Sequence, residues 1–572
     1  MNPRSDNTSA PTLSRSRSRS RLGNISNTIK QPIVFDGAKT PVKNALFFII
    51  CIAWILPGLI GHDPWKPDEA MAFSVIHGML REGHWLTPMI AGLPSGEYPP
   101  LYYWVAAASA FLTSSFLPLH DGARLASGVF MLVAIVFIYR TANRLFDDRA
   151  GRLAVLLLIS CLGLLLRAHE INPEVAGLAG FSIAFYGLTR IRSEPRKGGT
   201  TTGIGAGMVA LSIGIVPALL VPLLAIALML FLRDTANRDF RRGIAIAIAV
   251  MLPLMLIYPL ALLLNGKVAS TTWLDAVLGA PFLADESRRA MNPLYFLNIL
   301  PWYGLPALPF ALWLWWRDRA RLRERIELAL PLVGFVMLLV MLSLARESRD
   351  PSAMVLLLPL SLAAASTPDR LPRGLASFID WFSVVFFGAL MIAFWLYWTA
   401  AMTGVPAAAA RAVAIQAPGF LLSFSIVPFS FAVVLSIVWL YAVIRAHRSN
   451  RRAIVNWAAG ITLIWVFLST LMLPAIDHVR SYRQVVGDVA QVLPAQRQCI
   501  ASTQLGDSQR ALFDYFAQLR FIPLTDQRSD QCDWLLAQGT VAQPPIVDSK
   551  WRKVWEGARP GDRSELLRLY RR

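Results

Sequence analysis

Two adjacent carboxylates, Asp68 and Glu69, stand in the run Gly61-His62-Asp63-Pro64-Trp65-Lys66-Pro67-Asp68-Glu69-Ala70, just after the first long apolar stretch of the chain. At the exit of a membrane span the dielectric falls and the proton affinity of a carboxyl can be tuned, so such a group can take the proton of a hydroxyl nucleophile. The competing role is structural. Acids after a proline also open a helix well, and the spacing predicts one over 70–81. A second acidic turn follows at Glu170-Ile171-Asn172-Pro173-Glu174, where Glu174 is a candidate catalytic acid and Glu170 its backup, although Asn172-Pro173-Glu174 is equally a good helix N-terminus. Candidate cations for an ionic leaving group are Lys66, Arg124, Arg167 with His169, Arg288 with Arg289, and Arg346 with Arg349. Contact with a lipid headgroup or solvent is the alternative for each. The seven histidines show no zinc-type spacing and no Gly-rich nucleotide motif is present, so neither a metal nor a cofactor is expected.

The elements that must position these groups are membrane helices. The chain has 572 residues, 55% hydrophobic and only 16% charged, with a net charge of +19. Soluble domains carry roughly 25% charged residues, so a soluble enzyme is excluded and a polytopic, mainly α membrane protein is indicated. Apolar runs near 44–60, 123–143, 152–168, 174–191, 199–216, 217–232, 241–264, 293–315, 327–344, 352–366, 374–400, 419–446 and 453–473 predict about thirteen transmembrane helices. The stretch 101–119 is long enough to span, but Tyr102, Tyr103 and Trp104 crowd its start as in interfacial helices. Charge decides between the two. With this stretch on the membrane surface and the N-terminus cytoplasmic, twenty-three Lys and Arg of the loops beyond it fall inside and six outside; if it spanned, the bias would reverse.

Four segments follow from this topology. Residues 1–43 are polar, with an alternating Ser-Arg tract at 14–21, and read as a disordered cytoplasmic tail; RNA binding by that tract is the lesser alternative, and no nucleic-acid partner is expected. Residues 44–474 form the membrane domain, with 61–122 a first outside loop carrying interfacial helices. Residues 475–572 are of mixed charge, with helical patterns at 481–493 and 507–519, the latter capped by Asp507, and strand patterns at 499–501, 521–523, 534–537 and 566–569, which indicates a small outside α/β domain. Cys499 and Cys532 fall there, on the side where disulfides persist, and are expected to pair; Cys51 and Cys161 lie within spans as buried thiols.

The first loop continues with Gly83-His84-Trp85 and Pro88, Glu97-Tyr98-Pro99-Pro100-Leu101-Tyr102-Tyr103-Trp104, and Ala123-Arg124-Leu125. Together with Pro67-Asp68-Glu69, these fragments resemble the C-fold glycosyltransferases that use polyprenyl-phosphate sugars, the protein O-mannosyltransferases and lipid A aminoarabinose transferases. The resemblance extends through Arg144-Leu145-Phe146 to the turn at Glu174 and then fades. It implies a bacterial inner-membrane enzyme that transfers a hexosyl or pentosyl group, with inversion, from a polyprenyl-phosphate donor to a lipid, glycan or protein acceptor on the periplasmic face. In that scheme Asp68 is the general base, Glu174 the second acid, and Glu97, Tyr98 and Tyr102 join the candidate cations around the substrate. Two lysines of the family pattern are absent: Tyr98 replaces one, and 212–215 reads Ser-Ile-Gly-Ile where the other would stand.

Two other classes compete. A transporter or flippase of lipid-linked material should show repeated halves and mid-membrane ionisable residues, whereas here the acids gather at span ends. A family member that has lost catalysis and acts as a partner subunit would fit the two missing lysines.

Overall fold

The computed structural model describes residues 41–572 except 97, 233–237, 266–276, 279–291, 346, 369–370, 446–450, 495–498, 541, 546 and 563. The expected tail therefore lies outside the described residues, except that 41–43 open the helix Pro41–Ile55. Glu97, Arg288, Arg289 and Arg346 also lie outside them.

The molecule is mostly helical. Among the described residues six helices are long and apolar enough to cross a membrane: Leu119–Leu145, Arg238–Leu264, Ile326–Ser343, Arg373–Thr403, Ile426–Ile444 and Arg452–Leu471. The run at 293–315 is a pair, Tyr295–Tyr303 and Ala307–Arg317, bent by 103°. Where about thirteen spans were expected, the other runs form helices that are shorter or inwardly placed. Gly214, at φ +110°, divides Pro195–Ile213 from Ile215–Phe231. Pro173–Ile191 is buried along nearly its whole length and packs on Pro195–Ile213 through glycines. A Cβ on Gly187 would sit 2.4 Å from the backbone nitrogen of Thr202, and one on Gly205 2.5 Å from that of Ala184. Close helix pairs of this kind trade apolar bulk for backbone approach, so hydropathy alone describes them poorly.

In the first loop, the helix Asp68–Glu82 starts behind a cis Lys66–Pro67 peptide and ends at Gly83, in the left-handed conformation at φ +73°. Leu101–Thr113 has 13 residues and reaches only about 20 Å, against roughly 30 Å of hydrocarbon. It leads into exposed apolar side chains, Phe111, Leu112 and Phe116.

Beyond the last span, a five-stranded mixed sheet runs in the order Ile522–Pro523, Ile500–Thr503, Trp534–Gly539, Leu566–Arg571, Arg552–Gly557. The strand Arg552–Gly557 was not foreseen, because its residues are largely exposed and show no apolar alternation. Helices Arg483–Val492 and Asp507–Ala517 cover the sheet. Asp507 is not the cap: Gly506 holds that position, and the Asp507 carboxylate turns to Arg510. Cys499 and Cys532 are joined by a disulfide, with Cα atoms 4.8 Å apart. The core of this region also takes in Ala70 of the first-loop helix, so the two segments share one apolar interior.

Candidate functional site

Asp68 and Glu69 are neighbours on one helix but face different surroundings, since consecutive helical residues point about 100° apart. Glu69 turns inward. One oxygen accepts Arg124 Nε at 2.8 Å and the Ile171 N–H at 3.2 Å, and the other accepts the Trp65 N–H at 3.0 Å. Arg124 is fully buried and also donates to Asp121 at 2.6 Å and to the His62 carbonyl at 3.2 Å. Glu69 and Arg124 thus spend their bonding capacity on each other, on Asp121 and on the loop backbone.

Asp68 stays partly open, with its side chain 28% exposed. Burial pushes its carboxyl above the usual range, opposed by Arg349 and Arg167, while Asp350 and Glu347 push the same way as burial. Arg167 organises this corner. It contacts Glu170 at 2.8 Å and Asp350 at 2.7 Å, and lies 3.9 Å from Asp68. Glu170 is buried, and desolvation lifts its carboxyl to about 7 against the pull of Arg167.

Glu174, buried at the start of its helix, accepts from the Ser352 hydroxyl at 2.6 Å and the Tyr98 hydroxyl at 3.2 Å. Its own N–H is capped by the Asn172 side chain at 3.0 Å. Glu174 and Ser352 border a narrow cleft of about 20 Å³ that Phe296, Met341, Leu342 and Glu347 also line. Arg349 acts electrostatically on both Asp68 and Glu174 and pairs with Glu347 at 3.0 Å. The turn at 167–174, the segment 347–352 and the start of the first-loop helix thus meet in one acidic cluster with two arginines.

Three further candidates lie elsewhere. Tyr102 is fully buried, its hydroxyl between Ser127 at 2.6 Å and the Asn172 N–H at 3.1 Å. His169 is enclosed by the Trp54 and Trp465 rings, with its nitrogens 2.7 and 2.8 Å from the carbonyls of Leu165 and Trp54. Lys66 pairs with Glu565 and lies over the Tyr482 ring. Each of the three is held by internal partners. Sequence reasoning missed Asp350, Ser352 and Glu347. The dense alternation Arg346-Glu347-Ser348-Arg349-Asp350 between two apolar runs was the available signal. Among the described residues no group of three His, Cys, Asp or Glu is placed to hold a metal ion.

A helical membrane fold with a carboxylate and guanidinium cluster at the ends of its helices suits group transfer at a membrane surface. Residues 97–263 match the family model described as dolichyl-phosphate-mannose-protein mannosyltransferase. An undecaprenyl phosphate-alpha-4-amino-4-deoxy-L-arabinose arabinosyl transferase of Pseudomonas aeruginosa (strain LESB58) is 27% identical over 457 residues, 76% of each chain. A protein with the same description from Yersinia enterocolitica is 26% identical over 339 residues, covering 56% of this chain and 58% of its own. In fold, the chain resembles ArnT from Cupriavidus metallidurans bound to undecaprenyl phosphate, with a TM-score of 0.66 at 18% identity over 93% of this chain and 98% of that one. The chain is accordingly a membrane glycosyltransferase. It resembles the transferases that use lipid-linked sugars.

Proposed function

We propose that the protein transfers a sugar, with inversion, from a polyprenyl-phosphate carrier to a lipid, glycan or protein acceptor at the periplasmic face of the bacterial inner membrane, with Asp68 as general base. In this reading the N-terminus is cytoplasmic, and residues 475–572 form a periplasmic domain beside the membrane domain. The observation that carries the reading is the division of labour at the first-loop helix: Glu69 is consumed by Arg124, whereas Asp68 keeps an accessible carboxylate 3.9 Å from Arg167 and under the influence of Arg349. Asp68 takes the proton of the acceptor hydroxyl as it attacks the anomeric carbon, and the phosphate leaves from the opposite face. Arg349 and Arg167 are the described cations closest to that chemistry and offset the charge of the departing phosphate in place of the two absent lysines. Glu174, held by Ser352 and Tyr98, orients the sugar.

The names of the relatives point to an undecaprenyl-phosphate 4-amino pentose as donor. A cluster with Asp68, Glu170, Glu174, Glu347 and Asp350 around two arginines is suited to a sugar bearing an amine. The test compares transfer of a radiolabelled polyprenyl-phosphate sugar by membranes carrying wild-type and Asp68→Asn protein. Loss in the variant is expected; equal transfer removes Asp68 from catalysis, and no transfer by either returns the transporter reading.

A further inference from the structure

Asp68 lies between two anchors of different origin. On its C-terminal side Glu69 is tied to the membrane helices by Arg124 and the Ile171 N–H. On its N-terminal side Lys66 reaches the other way, to Glu565 just before the strand Leu566–Arg571. Glu565 is a buried hub. One oxygen takes Lys66 and the Tyr482 hydroxyl at 2.5 Å, the other takes Gln509 Nε2 at 2.8 Å, and Arg559 stands 3.8 Å away. The Lys66 ammonium and the Arg559 guanidinium both lie over the Tyr482 ring, at 5.4 and 4.8 Å from its centroid. The flanking loop is fastened to the same region: Asp63 accepts from Arg483 at 2.9 Å and Ser481 at 2.6 Å, and Asp477 accepts the Trp65 indole N–H at 2.9 Å and the Asp63 N–H at 3.0 Å.

A surface ion pair contributes little, but a carboxylate that is buried and receives several donors fixes its partner's position. We infer that Glu565, acting through Lys66, is a positioning residue for Asp68, so that the C-terminal domain sets the geometry of the catalytic carboxylate. The inference rests on Asp68 being the general base. A carboxylate displaced by about 1 Å from its line of approach loses up to about a hundredfold in rate while substrate binding elsewhere is kept.

The experiment uses the full-length protein in liposomes with the undecaprenyl-phosphate 4-amino pentose donor, comparing wild type, Lys66→Met, Lys66→Arg, Glu565→Gln, the Lys66→Met/Glu565→Gln double variant and Asp68→Asn. Arg568→Ala, which breaks a partly exposed pair with Glu556 in the same domain, is the control for general loosening. Lys66→Met and Glu565→Gln are each expected to lower kcat by ten- to a hundredfold with donor KM unchanged. The double variant should be no worse than the singles, Lys66→Arg should recover most of the rate, and Arg568→Ala should match wild type. Hydrogen exchange of the amides at 65–71 should rise in Lys66→Met, which leaves the Glu565 hub with Tyr482 and Gln509, while exchange in the strand Trp534–Gly539 stays as in wild type. Unchanged exchange at 65–71, or losses in the two singles that multiply in the double, overturns the positioning role. Full kcat in Lys66→Met and Glu565→Gln alongside a dead Asp68→Asn overturns the positioning role alone. An Asp68→Asn enzyme as fast as wild type overturns the reading of Asp68 and the positioning role with it.

Discussion

Glu69 accepts Arg124 Nε at 2.8 Å where neither side chain is more than 1% exposed, and the pair ties the first-loop helix to the span Leu119–Leu145. Removing one partner leaves a buried charge without compensation, which typically costs 3–5 kcal/mol. Glu69→Ala and Arg124→Ala should therefore each lower the melting temperature of the detergent-solubilised protein steeply. Light-scattering or fluorescence melts that match wild type would show that the pair is dispensable.

Asp68, one residue earlier, should behave in the opposite way. Asp68→Asn keeps the shape and removes the base, so transfer should fall by about 10²- to 10⁴-fold with the melting temperature held. Rates and melts from the same preparation separate a chemical role from a structural one.

Glu170 makes stability depend on pH. Its carboxyl is raised from 4.5 to about 7 by burial, so between those values the folded state holds a proton that the unfolded state has released. Stability from this group is fully present below about pH 4.5, is lost as pH rises towards 7, and stays lost above it. Glu170→Gln, which cannot ionise, should gain on wild type by up to about 3 kcal/mol between pH 5 and pH 8. Melts of both proteins across that range check this, and parallel curves would refute it.

The Cys499–Cys532 bridge spans 33 positions. In the chain-entropy model closing such a loop is worth about 3–4 kcal/mol. Cys499→Ser or Cys532→Ser should make residues 475–572 sensitive to proteolysis at lower temperature while the membrane helices remain protected, as read by fragment mass.

The sequence shows the order of the helices and most of the C-terminal strands, because periodicity is a local signal. It shows that acids gather at 68–69 and 170–174, but not which partner each of them takes. Asp68 and Glu69 differ only in the direction they face, and that is set by Arg124, 55 positions on. Lys66, Tyr102 and His169 look like substrate contacts by type and position, yet Glu565, Ser127 and a pair of tryptophans claim them, at separations that no local pattern reports. The covered helices Pro173–Ile191 and Pro195–Ile213 follow packing against each other more than hydropathy.

Lys66 and Glu565 are 499 positions apart. At a synthesis rate of about 5–20 residues per second, the first loop leaves the ribosome roughly 25–100 s before its partner exists. During that interval the early helices can insert and Glu69 can find Arg124, but the stretch bearing Asp68 has no fixed place on its other side. Completion of the last strands is thus also the moment at which Lys66 gains its partner, and a chain truncated before residue 565 would enter the membrane without that tie.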